Sequence, residues 1–213
     1  MIGKLSFLII FLFSVNSIFA TTFKAAKDGK WEARDTWNHA CNCVPSLATD
    51  SIHIDGYDVT IDNATMTFLG VDSISIAYLK FTNLLNVGPT QFFLTEEAKL
   101  VVTGDIDGTS DNVWRNMLIK LFGNSFLHVN GNVNLQRTSN NIQWTYLQLA
   151  IANNAQLTVD GDFEYDYKNS GIIGIYDEIF MTDQAILTVY GDSKLISRAG
   201  NALDFYMAMS AKS

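Results

Sequence analysis

The sequence predicts an all-β protein: a right-handed parallel β-helix of about five rungs behind a short N-terminal cap. Three observations carry that expectation. One phrase, Leu-x-Val-x-Gly-Asp/Asn, occurs at Leu100 to Asp105, Leu127 to Asn132, Leu157 to Asp162 and Leu187 to Asp192. Its glycines, Gly104, Gly131, Gly161 and Gly191, are 27, 30 and 30 residues apart, and self-similarity at such a period marks a solenoid or related repeat. Around each glycine the apolar residues alternate, as in Leu127, Val129, Val133 and Leu135, which is the period of strands with one buried face. A unit this short cannot bury its own apolar face, and stacking covers it with the next unit. An antiparallel β-sandwich is the alternative fold, and the near-equal spacing of one repeated phrase argues against it.

Taken in order, residues 1–20 read as a secretory signal peptide. Lys4 supplies the positive start, Leu5 to Phe13 the apolar run, and Ser17 to Ala20 the small-residue cleavage site. The run is shorter than the ~20 residues that span a bilayer, which favours cleavage over a membrane anchor. The expected location is therefore secreted or cell surface, with no transmembrane helix after cleavage. Residues 21–49 read as an N-terminal cap. Trp31 and Trp37 are large enough to cover the exposed end of a first rung, and sugar stacking is the alternative role for the pair. Residues 50–213 read as the solenoid. Ile52-x-Ile54-x-Gly56 is taken as a fifth inward-glycine phrase. Intermediate strands are expected at Leu69/Val71, Ile74/Ile76, Leu79/Phe81 and Phe92/Leu94. Further ones are expected at Met117/Ile119/Leu121, Leu147/Leu149/Ile151 and Ile173/Ile175. The glycines are expected on the inward face. The tail from Asn201 to Met209 is open between a final strand, a cap and the cut edge of a longer solenoid. An uncapped last rung would offer unpaired edges, so end-to-end self-association is expected.

The order Trp31-x5-Trp37, Pro45 and Asp50-x-Ile52-x-Ile54-x-Gly56-x-x-Val59-Thr-Ile61-Asp62 resembles the N-terminal module of secreted and surface β-helix proteins. It is similar to the G8-type domain of fibrocystins and of cell-migration-inducing hyaluronan-degrading proteins. It resembles still more the opening of exported β-helix proteins of the Bacteroidetes type, where a Cys-x-Cys or Cys-Pro often precedes the Asp. The likeness covers roughly residues 22–82 and departs from the G8 pattern in being poor in glycine between residues 57 and 100. It implies an extracellular location and a role in adhesion or glycan contact, and it transfers no catalytic residue.

With 14 basic and 22 acidic residues the formal net charge is −8, which excludes the basic patches that nucleic-acid binding needs. Cys41 and Cys43 favour a local disulfide in an oxidising compartment, with free or intermolecularly paired thiols left open. His39, His53 and His128 are far apart in sequence and read as surface residues. Asp105, Asn132, Asp162 and Asp192 form an outward column whose residue types suit turns. Its sharper reading is a calcium-binding edge, with Asp105, Asp107 and Asp111 in a faint calcium-loop order that turn chemistry explains better. No other cofactor is expected.

Asp160, Asp162 and Asp192 are the candidate catalytic carboxylates, because glycan lyases and hydrolases need converging Asp/Glu groups. Glu164 with Asp166 is a further pair. All of these are expected on solvated outward positions. Asn63-Ala-Thr65 is a glycosylation sequon. The function expected is a non-enzymatic extracellular module: adhesin-like, or a surface or matrix scaffold contacting a glycan or another surface component. The alternatives are a carbohydrate-active β-helix enzyme and the N-terminal fragment of one.

Overall fold

The computed structural model describes residues 20–41, 43–46, 48–83, 88–110, 116–138, 147–167, 178–197 and 207–210. All but the last residue of the expected signal peptide lies outside them, as do Asp111, Ile173 and Ile175. The chain winds through three sheets in turn, making a parallel β-solenoid of about 5 turns. The first sheet holds Thr22–Ala25, Ser51–Asp55, Tyr78–Thr82, Ile106–Ser110, Val133–Arg137, Phe163–Tyr167 and Ser193–Ser197. The second holds Gly29–Lys30, Asp58–Ile61, Thr90–Leu94, Met117–Leu121, Leu147–Ile151, Glu178–Thr182 and Met207–Ser210. The third holds Ile74–Ile76, Lys99–Val102, Phe126–Val129, Gln156–Val159 and Ile186–Val189. All these neighbours pair in parallel. A short strand, Trp37–Asn38, closes the first sheet by pairing antiparallel with Thr22–Ala25.

The repeated phrase is the third sheet and the corner that leaves it. Its leucines stack in one register column, Ile74, Leu100, Leu127, Leu157 and Leu187, and its valines in another, Ile76, Val102, Val129, Val159 and Val189. From Ile74 to Val159 these side chains are buried. Each side chain withdraws apolar area from water and is worth about 1.5–3 kcal/mol. The first copy of the phrase is therefore Ile74-Ser75-Ile76-Ala77. It lacks the glycine because its corner is one residue shorter: Ile106 stands beside Leu79, while Val102 stands beside Ile76. Ile52-x-Ile54-x-Gly56, expected to be a copy, is instead a strand of the first sheet followed by a turn in which Gly56 takes φ 75°.

The glycines do not face inward. A Cβ on Gly161 would lie 2.6 Å from the Gly131 carbonyl oxygen and 2.5 Å from Asn132 Oδ1, so it would point down the stack into the rung below. Gly131 and Gly191 are placed alike against Gly104 and Gly161. Each of these glycines donates its N–H to the glycine below, Gly131 to Gly104, Gly161 to Gly131 and Gly191 to Gly161. Close approach of backbone to backbone, with no room for a side chain, is what requires glycine there.

A further expectation changes. Leu69/Val71 is not a strand. Residues Asn63–Leu69 form a helix capped by Asp62, which accepts the Thr65 N–H at 3.0 Å, and ended by Gly70 at φ 65°. This capping box and left-handed glycine are sequence signals that the alternation masked. The second-sheet strand beside Leu147–Ile151 is Glu178–Thr182, whose Ile179 pairs with Leu149. Thr22–Ala25 and Gly29–Lys30, within the expected cap, pair in parallel with Ser51–Asp55 and Asp58–Ile61. The tail closes on a strand of the second sheet, Met207–Ser210.

The N-terminal end is covered by the tryptophans. Trp31 is 0% and Trp37 5% exposed. The Trp31 indole N–H donates to the Pro45 carbonyl at 2.8 Å, and the Trp37 N–H to the Trp31 carbonyl at 2.8 Å. The rings meet edge-on with centroids 5.0 Å apart. Both faces are packed inside, so neither ring is presented to a sugar.

Candidate functional site

The corner after the third sheet sorts the candidate carboxylates into two rows. In one, Asp105 Oδ1 accepts the Asn132 N–H at 2.7 Å, Asn132 Oδ1 accepts the Asp162 N–H at 2.8 Å, and Asp162 Oδ1 accepts the Asp192 N–H at 2.9 Å. This column, expected to bond its own local backbone, bonds the backbone of the next rung. Its acceptor oxygens are part of the stack, and an amide serves as well as a carboxylate because only the oxygen is used.

The second row lies two residues earlier on each rung: Thr103, Asn130, Asp160 and Tyr190, all exposed. Their N–H groups bond Ile76, Val102, Val129 and Val159, which holds them one above the other. Asp160 Oδ2 lies 3.0 Å from His128 Nε2, so the two side chains form a pair on the same edge. Tyr190 is 73% exposed. Asp160 and Asp162 therefore fall on different rows; both are exposed, but Asp162 also carries a stacking bond, and the structure does not join them with Asp192 as a trio.

Asp107 is not in a loop. Ile106–Ser110 is a strand, with Gly108 in the inward column between Phe81 and Leu135. A Cβ on Gly108 would meet Leu135 Cδ2 at 2.6 Å and Met117 Cε at 2.9 Å, so the glycine makes room for those chains. Asp107 faces outward, where it accepts from Asn134 Nδ2 at 3.0 Å and from the Tyr78 hydroxyl. Burial, reinforced by this carboxylate, pushes the Tyr78 hydroxyl well above its ordinary pKa. Farther along the same outward face, Glu164 accepts from Lys194 at 3.1 Å. Asp166, expected to be solvated, is buried.

A second corner, between the second and third sheets, escaped the sequence reading. Glu96, Gly123, Asn153 and Asp183 take φ between 59° and 71° there. The following N–H groups climb the stack, Asn124 to Glu96, Asn154 to Gly123 and Gln184 to Asn153. The left-handed backbone favours Gly, Asn and Asp, and that was the available signal. Near the first copy of this corner, a recess of about 470 Å³ opens between the helix and Lys99, lined also by Asn63, Asp72 and Glu97. Phe68, on the helix, is 59% exposed. Among the described residues the exposed aromatic rings are Phe68 and Tyr190, not the tryptophans that the sequence singled out.

At the N-terminal end, Cys41 and Cys43 are joined in a disulfide. His39 Nδ1 sits 2.7 Å from Cys41 Sγ. Its ring lies against Phe23 with centroids 4.6 Å apart. Among the described residues, no helix is long and apolar enough to cross a membrane. The chain matches no protein-family model, no curated protein and no solved structure. The likeness of residues 22–82 to G8-type modules is thus one of motif alone.

Proposed function

We propose that this chain is a non-enzymatic extracellular β-solenoid module, adhesin-like or a surface or matrix scaffold, that contacts glycans along one corner. The observation that carries the reading is the division of labour at that corner. Asp105, Asn132 and Asp162 serve the stack, and the row left facing outward is Thr103, Asn130, Asp160 and Tyr190. A row of hydroxyl, amide, carboxylate and aromatic groups at rung spacing of ~4.8 Å matches what a sugar chain offers, hydroxyls at its edges and an apolar face for a ring to stack on. Calcium is not needed in this reading. The partners are an extracellular glycan or surface component and, at the last rung, a second copy of the chain meeting it end to end.

The test is binding and turnover of a polysaccharide panel by the purified protein, with and without calcium. Binding without turnover, weakened by Tyr190→Ala and Asp160→Ala, is the expected result. Release of reducing or unsaturated ends, abolished by Asp160→Ala, would replace the module with a carbohydrate-active enzyme. Absence of binding would remove the glycan and leave a scaffold. Sedimentation across a range of concentrations checks the end-to-end association.

A further inference from the structure

The N-terminal loop carries a cluster that the glycan reading does not use. His39, Cys41 and Cys43 alternate in sequence, and their donor atoms all lie within 4.8 Å of one another. We propose that, once its disulfide is opened, this cluster is a redox-gated site for a soft transition-metal ion, monovalent copper in preference to zinc.

The geometry is prepared on the imidazole side. The Cys41 N–H donates to His39 Nδ1 at 3.2 Å, so Nδ1 presents its lone pair and the ring proton sits on Nε2. Nδ1 also lies 2.7 Å from Cys41 Sγ. Contact with Phe23 fixes the ring plane, and Phe23 itself is buried in the first rung. On the sulfur side Cys41 is exposed, within reach of a reductant, while Cys43 packs against the core and anchors the loop. The Cys41 N–H, on an exposed residue, can turn to water when a metal takes the Nδ1 lone pair.

The chemistry of the donors selects the ion. Two thiolates and one imidazole are soft to intermediate ligands, and no carboxylate belongs to the cluster, which disfavours calcium and magnesium. Structural zinc sites almost always take four protein ligands, and the described residues supply three. Three-coordinate thiolate–imidazole ligation suits monovalent copper. The opening step balances with a dithiol as co-reactant. The dithiol gives two electrons and two protons to the Cys41–Cys43 bond and leaves as its own disulfide. Copper then displaces both thiol protons to solvent and adds Nδ1 as third ligand. In an oxidising compartment the sulfurs are bonded to each other and the site is shut.

The test uses the full chain, reduced anaerobically with a dithiol, freed of it, and titrated with monovalent copper against a chromophoric copper(I) chelator. One ion held per reduced chain, and none by the oxidised chain, is the expected result, with two sulfurs and one nitrogen at the copper by X-ray absorption. Cys41→Ser and Cys43→Ser abolish the binding. His39→Gln, which leaves the disulfide able to form, weakens binding by at least about tenfold. Loss of all copper to the chelator overturns the proposal, as does equal binding by the oxidised chain or by His39→Gln. Displacement of the copper by equimolar zinc overturns the choice of ion. Reduction that erases the near-ultraviolet signal of Trp31 and Trp37, with no recovery on adding copper, also overturns it, because the loop that holds the site is then disrupted.

Discussion

The N-terminal end and the body of the solenoid are held in different ways. From Lys99 to Asp192 each rung is joined to the one before by the same set of interactions: a leucine and a valine column inside, a glycine N–H to a glycine carbonyl, and an Asp or Asn oxygen accepting from the next rung. From Thr22 to Gly70 the parallel strands continue, but the glycine and Asp/Asn bonds of the corner do not. One pair of interlocked indoles, one antiparallel strand, one disulfide and one capped helix each occur once. Rung stability in the body is a sum of similar nearest-neighbour terms, so a single broken interaction is one term among many. At the N-terminal end each interaction is singular, and breaking it leaves no duplicate to hold the lid.

The sharpest way to break that contrast is Trp31→Ala. It removes a fully buried ring together with the indole bond to Pro45, and is expected to cost about 3–5 kcal/mol, read as a lowered urea midpoint. Next comes Gly161→Ala. The added Cβ meets the Gly131 carbonyl and Asn132 Oδ1, at an expected cost of about 1–3 kcal/mol in the same assay. Asn132→Ala is milder, about 1 kcal/mol, because it removes one acceptor from the Asp162 N–H. Asn132→Asp keeps that oxygen and is expected to lie closer to wild type. An Asn132→Asp as damaging as Asn132→Ala would mean that the column does more than accept hydrogen bonds.

The smallest expected effect is in pH, at the N-terminal end. Desolvation, opposed by Asp55 and aided by Lys80 and Lys24, lowers the His53 pKa below its ordinary 6.5. The unfolded chain therefore takes up a proton first as pH falls. Stability is unaffected above about 6.5 and declines below it until the folded imidazole also protonates. His53→Gln should flatten that limb of a plot of urea midpoint against pH.

Legibility followed repetition. Where an interaction recurs every rung it leaves a recurring residue, and Leu-x-Val-x-Gly-Asp/Asn was readable as a repeated strand, while the corner at its glycine was not. The helix at Asn63–Leu69 was missed because Leu69 and Val71 also fit the alternation of a strand, although Asp62, Thr65 and Gly70 carried the capping signals. The left-handed corner was missed because four different residues, Glu96, Gly123, Asn153 and Asp183, meet one backbone requirement. His39 stood apart from Cys41 and Cys43 because the three match neither a Cys-x-x-Cys nor a paired-histidine pattern. Their alternation gains meaning only when the loop brings the donor atoms together.

The sequence by itself determined that the chain stacks, with what period, and which side chains line the core, because an alternating apolar pattern leaves a short strand no other way to leave water. Only the tertiary structure decided what the glycines and the Asp/Asn column are for. Their partners are residues 27 to 30 positions away, and which atom of one rung meets which atom of the next depends on register. The same holds for the tryptophans and the outward row. Burial of Trp31 follows from where the lid sits on the stack, and exposure of Tyr190 from its place on the corner's outward row; residue type encodes neither.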